Sequence, residues 1–481
     1  MKKSKAIIFI LTAALLLSAC SNADGEVKNH ENSNNSETSV TEGAWGAVDP
    51  TDDTDASAEK THPQPTKPVD PPSFGDTATI EETVIYNENN IKITATELTY
   101  SSRSVSVGLN IENNTEENLS FRCGTIGYSA NSVNGYMVET GYVNCDVSAG
   151  KKAMDSVEFD LDALMLCGIK EIGEIELAFS IENENYDYIY TDPLTIKTSA
   201  FASVDYGKNT FQTAINDEAV NAQYGFSVDK FFDEKLYDKN GVKVISEALV
   251  TNKSGEQVLM IELENSSSKQ LEISLGKISL NGLAVENGTK IINTVNPNKK
   301  CVVGITLSSL LDENYWDIFG LKEIGKIDLR LKTEENDKEL DSEFISISLP
   351  GKDATFNNSG VEVYNKNGMK IVFKGFAKDH YSYNDDLHAL FIAENSSGKE
   401  ISINNEYNSM SINGYMVDYS YYSSDIYAGG NLILDMRIDE DSLASNKIGG
   451  EDDIEEFEVS LKLRDDGYKD IDDVKISIRR N

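Results

Sequence analysis

A phrase that occurs three times constrains this chain more than any single residue does. It opens with a tyrosine turn, Tyr86-Asn87-Glu88-Asn89-Asn90-Ile91-Lys92-Ile93, and returns as Tyr237-Asp238-Lys239-Asn240-Gly241-Val242-Lys243-Val244 and Tyr364-Asn365-Lys366-Asn367-Gly368-Met369-Lys370-Ile371. Each copy then passes the same landmarks in the same order. An alternating apolar run comes first: Val105, Val107, Leu109 and Ile111 before Glu112-Asn113, Leu259, Ile261 and Leu263 before Glu264-Asn265, and Leu387, Ala389, Phe391 and Ala393 before Glu394-Asn395. Period-two alternation places one face of a strand in a core. The Asn-Thr or Ser-Ser that follows is turn chemistry. A second alternating strand leads to Val133-Asn134-Gly135-Tyr136, Leu280-Asn281-Gly282-Leu283 and Ile412-Asn413-Gly414-Tyr415. A two-residue type I′ hairpin needs positive φ at both central positions, which Asn-Gly supplies at least cost. Three equivalent hairpins are expected.

Beyond them, Leu161, Leu164 and Leu166, or Leu307, Leu310, Leu311 and Trp316, have spacings that suit a short helix. Then comes Lys170-Glu171-Ile172-Gly173-Glu174-Ile175 against Lys322-Glu323-Ile324-Gly325-Lys326-Ile327, with a looser third copy at Ile454-Glu455-Glu456-Phe457. A final strand is expected at 194–198, 344–349 and 474–478. Seven or so short strands in roughly 110 residues, with turns between them and little helix, predict an all-β chain: a tandem array of three immunoglobulin-like β-sandwich modules. The expected modules are 80–199, 232–349 and 360–481, separated by a connector, 200–231, and a linker, 350–359. The connector has room for an extra strand or short helix.

The N-terminus supplies an address. Lys2, Lys3 and Lys5 precede an apolar run from Ala6 to Leu17, and Leu17-Ser18-Ala19-Cys20 follows. That is the charged start, short apolar core and small-residue exit of a secretory signal, residues 1–20. The run is too short for an ordinary membrane span. Residues 21–79 are rich in Asn, Ser, Thr, Asp and Glu and hold Pro50, Pro63, Pro65, Pro68, Pro71 and Pro72 of the chain's 9 prolines. Such a stretch buries too little apolar surface to offset its ordering entropy, so a disordered tether is expected. Its reach would be roughly 40 Å. Trp45 stands alone in it.

Lys plus Arg number 43 against 81 Asp plus Glu, a formal net charge of -38. This opposes nucleic-acid binding and favours solubility. Acidic runs such as Asp465-Asp466-Gly467 with Asp470, Asp472 and Asp473 lack the calcium-loop pattern and read as solvated turns. After Cys20 the cysteines are Cys123, Cys145, Cys167 and Cys301. No CxxC spacing occurs, but Cys123 and Cys145 flank a hairpin and form a candidate disulfide. The histidines are His30, His62, His380 and His388. The first two modules have none, so no histidine serves a chemistry shared by the copies. His380 and His388 flank a Tyr-Ser-Tyr-Asn-Asp loop and read as surface residues. No nucleophile elbow, zinc-protease or phosphate-loop motif appears. Catalytic residues, metal ligands and cofactors are all expected to be none.

The third module is rich in tyrosine: Tyr381, Tyr383, Tyr407, Tyr415, Tyr419, Tyr421, Tyr422 and Tyr427. On one strand, Tyr415, Val417, Tyr419 and Tyr421 would share a face, as would Tyr136, Val138 and Tyr142 in the first copy. Exposed, Tyr415, Tyr419 and Tyr421 form a candidate binding surface for a protein or glycan. Buried, the set is an aromatic core stripe.

Leu17-Ser18-Ala19-Cys20 resembles the lipobox of bacterial lipoproteins. The resemblance implies that Cys20 receives a diacylglyceryl group and becomes the mature N-terminus, and two acyl chains anchor stably. With the tether and the three registers, the whole chain is similar to lipoproteins of Gram-positive bacteria that carry immunoglobulin-like modules, many of unknown function. This implies a protein held on the extracellular side of the cell membrane through its N-terminal lipid, and it supplies no catalytic residues. The expected function is cell-surface binding or adhesion without catalysis. The alternatives are a structural spacer or assembly subunit of a membrane complex, and a cell-envelope hydrolase.

Overall fold

The computed structural model describes residues 74–480, apart from 125–130, 139, 207, 209, 233–234, 286–290, 308–309, 312–314, 350, 379–385 and 422. The signal, Cys20, Trp45, the tether up to residue 73, His30, His62, His380, Tyr381, Tyr383 and Tyr422 lie outside the described residues.

The repeated phrases owe their recurrence to the fact that they meet in space. The lysine of each opening phrase reaches across the strand pair to the glutamate of the Glu-Asn landmark: Lys92 to Glu112 at 3.3 Å, Lys243 to Glu264 at 3.3 Å and Lys370 to Glu394 at 3.2 Å. The asparagine of that landmark is buried and ties the next turn. Asn113 donates to the carbonyls of Glu117 and Val147 at 2.8 Å, Asn265 to those of Lys269 and Val295 at 2.7 and 2.8 Å, and Asn395 to those of Lys399 and Ile426 at 2.6 and 3.0 Å. Its oxygen accepts the backbone N–H two residues on in all three copies, at 3.0 Å. The tyrosine that opens the phrase donates to an aspartate of the final strand in two copies, Tyr237 to Asp341 at 2.6 Å and Tyr364 to Asp472 at 2.8 Å. In the first copy Tyr86 accepts from Asn89 instead.

The Asn-Gly hairpins form as expected, with φ of 49° and 84° at Asn134 and Gly135, 53° and 89° at Asn281 and Gly282, and 52° and 78° at Asn413 and Gly414. Each asparagine also clamps the strand that begins at the Lys-Glu-Ile-Gly landmark. Asn134 accepts from the N–H groups of Gly173 and Glu174, Asn281 from Gly325 and Lys326, and Asn413 from Glu455 and Glu456, all between 2.8 and 3.1 Å. The looser third copy therefore keeps the contact through backbone N–H groups, which any residue but proline supplies.

The chain is all-β and built of sandwiches around three hydrophobic cores, whose largest buried side chains include Phe121, Phe159 and Phe179 in the first, Phe319 in the second and Phe391 and Phe457 in the third. A short helix falls where the leucine spacing placed it, at Leu161–Leu166; in the second copy the helix Trp316–Phe319 begins only at the last residue of the expected run, and a third helix lies at Glu440–Ser445. In the first module one antiparallel sheet runs Thr83–Glu88, Ile91–Tyr100, Ser104–Asn113, Lys151–Asp160, and a second packs Tyr188–Tyr190, Phe179–Asn183, Leu119–Cys123 and Val143–Val147. The later copies repeat the first sheet as Val242–Thr251, Gln257–Asn265, Lys299–Thr306 and as Met369–Lys378, Leu387–Asn395, Asn431–Ile438.

The folded region also takes in residues expected outside it. Residues 74–79 of the expected tether pack on the first module: Gly75 donates to the Lys170 carbonyl at 2.7 Å, Phe74 lies 6.5 Å from the Tyr100 ring, and Ala78 is buried. The apolar Phe74 and Ala78 are what a tether lacks, and they have a groove to fill. The connector carries two helices, Thr210–Ile215 and Glu218–Tyr224. The second is capped by Asp217, which accepts from Ala219 at 2.9 Å, and ends at Gly225 with φ 67°. The strand Ser227–Phe232 then runs across the expected border at 231/232 and pairs with Val242–Thr251.

Candidate interaction surface

The sheets do not stop at the borders between copies. Tyr136–Met137, the outer strand of the first hairpin, pairs in parallel with the second copy's edge strand Lys299–Thr306, Tyr136 opposite Lys300 and Met137 opposite Cys301. Leu283–Ala284 of the second hairpin does the same with Asn431–Ile438 of the third copy, Leu283 opposite Asn431 and Ala284 opposite Leu432. The result is one nine-stranded and one ten-stranded sheet, each shared by two copies. An edge strand offers unpaired N–H and C=O groups, and the preceding hairpin satisfies them.

The first junction carries polar contacts on one face and apolar packing on the other. Tyr136 donates through its hydroxyl to the buried Glu262 carboxyl at 2.7 Å, and Glu262 also accepts from Ser246 at 2.8 Å. Burial, then the Glu262 charge, pushes the Tyr136 phenol well above its usual range. Lys300 lies 5.6 Å from the Tyr136 ring, and Lys299 reaches Glu176 at 2.7 Å. On the other face, Met137 enters the core of the second sandwich. The outward faces of the receiving sheets are apolar: Ala248, Val250, Val258 and Met260 in the second copy, Leu390, Ile392 and Ile433 in the third, all covered by the copy before.

Among the described residues the third hairpin meets no edge strand of a following copy. Tyr415–Met416 pairs with Ser411–Ile412 and, among the described residues, with nothing on its outer side. Tyr415 is 55% exposed and Met416 56%, where Tyr136 and Met137 are 3% and 4%. The expected tyrosine face divides here. The strand breaks after Met416 and resumes at Tyr419–Ser420, which pairs with a different sheet. Val417 and Tyr421 are buried, with the Tyr421 hydroxyl donating to the Ile403 carbonyl at 3.3 Å. Tyr419 is half-buried and donates to the Glu406 carbonyl at 2.9 Å. Of the candidate surface only Tyr415 faces solvent, beside Met416, which the tyrosine pattern missed. An exposed aromatic pair, Tyr188 and Tyr190, stacks at 5.8 Å on an edge strand of the first module.

The expected Cys123–Cys145 disulfide is not formed. The register sets Cys123 opposite Val143 and Cys145 opposite Phe121, so the two thiols lie diagonally on neighbouring strands. Both are buried, and desolvation pushes Cys123 up to about 12 and Cys145 up to about 11. A neutral-pH thiol reagent is expected to spare both in the folded chain and modify both in denaturant; modification of the folded chain, or a mass lower by two hydrogens across these peptides, would contradict this. The folded thiol pKa lies above the unfolded value near 8.5, so this stability is complete below about pH 8.5 and is lost as pH rises toward the folded value. The raised tyrosines add in the same direction. The urea midpoint is therefore expected to fall steadily on the alkaline side, as a titration from pH 8 to 11 would record.

His388, expected at the surface, is buried where the second and third copies meet: Nδ1 is 2.6 Å from Asp435 and the ring 5.7 Å from Tyr315. The acidic run at 465–473 forms a hairpin turn in which Asp465 accepts from Gly467 and Lys469, and Asp470 pairs with Arg464 at 2.8 Å. Among the described residues, no group of three His, Cys, Asp or Glu side chains is arranged to hold a metal ion, and no helix is long and apolar enough to cross a membrane.

No protein-family model and no curated protein matches the chain. Among solved structures, it is similar to a protein of unknown function from Porphyromonas gingivalis W83, at 12% identity over 53% of this chain and 99% of that one, with a TM-score of 0.14. A bacterial ice-binding adhesin matches at 8% identity over 78% and 90% of the two chains, TM-score 0.14. The BSP domain of a biofilm-associated protein matches at 9% over 86% and 68%, TM-score 0.13. Likeness at these scores carries no functional weight.

Proposed function

We propose that this is a lipoprotein anchored through Cys20 to the outer face of a bacterial cell membrane, a non-catalytic binding or adhesion protein whose contact is made by the third hairpin. One observation carries this reading: two hairpins of the same design are buried in the copy that follows, and the third stands open with Tyr415 and Met416 in solvent. An open strand edge flanked by an aromatic and a thioether can pair with a strand and bury a side chain at once. A protein partner or a glycan stacked on Tyr415 is the ligand class such an edge suits.

Crosslinking pull-down from intact cells, comparing the native chain with one carrying Tyr415→Ser and Met416→Ser, is expected to lose the captured partner. Unchanged capture would sink the hairpin as the contact. Separately, Cys20→Ala is expected to move the chain from the membrane fraction to the medium, and retention on the membrane would remove the anchor from the reading. The interlocked junctions favour a second reading, a spacer or assembly subunit. Copurification of a membrane complex that survives the hairpin substitutions would support it.

A further inference from the structure

We infer that the open hairpin of the third module takes the free edge of the first module in a second copy of this chain, so that copies join head to tail. This rests on the hairpin being the contact and names what it contacts. Both ends of the proposed joint repeat the first internal junction residue by residue. The open hairpin, Ser411-Ile412-Asn413-Gly414-Tyr415-Met416-Val417, differs from Ser132-Val133-Asn134-Gly135-Tyr136-Met137-Val138 only at Ile412; the second hairpin, with Leu283-Ala284, does not match it. The strand that receives the first hairpin begins Lys299-Lys300-Cys301, and the equivalent strand of the first module begins Lys151-Lys152-Ala153, whereas the third copy has Gly430-Asn431-Leu432 there. The equivalence is fixed by pairing: Lys151 lies opposite Asn113 as Lys299 lies opposite Asn265.

The free edge is also open in the right half. The strand Lys151–Asp160 is the outermost of its sheet, and its outer side is met at the far half, where Tyr142 bridges to Glu158 and the Asp160 N–H donates to the Thr140 hydroxyl at 3.3 Å. In the third copy the same edge is shared between its own Tyr419–Ser420 at the far half and the incoming hairpin at the near half. The first module's edge has the far-half partner, Tyr142, and among the described residues lacks a partner at its near half, 151–154. Met154 there is 70% exposed, and its counterpart Val302 packs against the preceding copy.

Seated in the register of the first junction, Tyr415 falls opposite Lys152 and Met416 opposite Ala153, beside the first core as Met137 is beside the second. Lys152 then stands to the Tyr415 ring as Lys300 stands to Tyr136, and Lys151 faces Glu458, the counterpart of Glu176. Glu458 is exposed and holds Ser411 at 3.5 Å, as Glu176 holds Ser132 at 3.2 Å. The Lys300 N–H donates to the Gly135 carbonyl at 2.9 Å, so the Lys152 N–H is the donor aimed at Gly414. The Met416 carbonyl accepts from Asn446 at 3.3 Å and keeps a second lone pair. One difference sets the strength. The outward face of the receiving sheet carries Ser106, Gly108 and Asn110 where the second copy has Val258, Met260 and Glu262. The joint therefore buries less apolar surface than either internal junction and forms where chains are crowded, as on a membrane. It is heterologous, using different patches on the two copies, and so can propagate.

Two full-length chains with different tags, one carrying Tyr415→Cys and the other Lys152→Cys, are coexpressed and oxidised on intact cells. Opposed strand positions are within disulfide reach. A mixed disulfide-linked dimer is expected in the coexpressing cells and absent with either chain alone. Adding Met416→Asp to the first chain is expected to abolish it; this position is exposed, and an unchanged thermal melt confirms that the chain still folds. No mixed dimer, a dimer from Tyr415→Cys alone, or one that survives Met416→Asp would each overturn the inference. Capture of some other envelope component by the hairpin, without the mixed dimer, would overturn it while leaving the proposed function standing.

Discussion

Asn265→Ala is expected to destabilise the second sandwich by about 3 kcal/mol, since each buried polar group left without its partner costs about 1–3 kcal/mol. Asn265 is fully buried, and its amide satisfies the carbonyls of Lys269 and Val295 while its oxygen holds the Ser267 N–H. Alanine removes all of these at once. Because Asn113 and Asn395 sit in the same geometry, alanine at either is expected to cost a similar amount in its own module. Urea unfolding of the three variants would show this as comparable midpoint losses. A change under about 1 kcal/mol at Asn265 would mean that the turn is held by something other than its side chain.

Tyr136→Phe is expected to cost about 2 kcal/mol, because it removes the phenol from a buried carboxyl that keeps only Ser246. The loss falls on the junction between the first two copies. The same exchange at Tyr415 removes a hydroxyl from solvent and is expected to stay within about 0.5 kcal/mol. The pair is a matched test, since the flanking residues are nearly identical. Equal effects at the two positions would show that the Tyr136–Glu262 contact contributes little. A loss at Tyr136 that appears as separate unfolding of the first sandwich would place the tyrosine in the coupling between copies.

Local chemistry was legible wherever one residue type has few ways to be satisfied. Asn-Gly reads as a type I′ turn because positive φ at two consecutive positions excludes most alternatives, and all three hairpins form on it. Alternation ending in Glu-Asn reads as a strand leaving the core, although the asparagine's partners, carbonyls up to 34 residues away, do not appear in the pattern. The tyrosine set of the third copy misled because alternation was carried through Val417 and Asp418, where the backbone leaves one sheet to join another. His388 misled for a related reason: as a polar residue beside a loop it reads as solvated, and only the neighbouring copy buries it. Cys123 and Cys145 lie on paired strands, yet a register shift of two residues decides between a bond and two separate thiols.

What the sequence determined by itself was the repeated sandwich: which faces are apolar, where the chain turns, and that the same solution is used three times. These depend on neighbours a few residues apart or on steric limits of one backbone. What only the tertiary structure decided was the way copies interlock and which hairpin remains open. Tyr136 and Tyr415 stand in nearly the same seven-residue phrase, and nothing local distinguishes them. Among the described residues one has a following edge strand to pair with and the other has none, so burial at these positions is set by the chain's order in space.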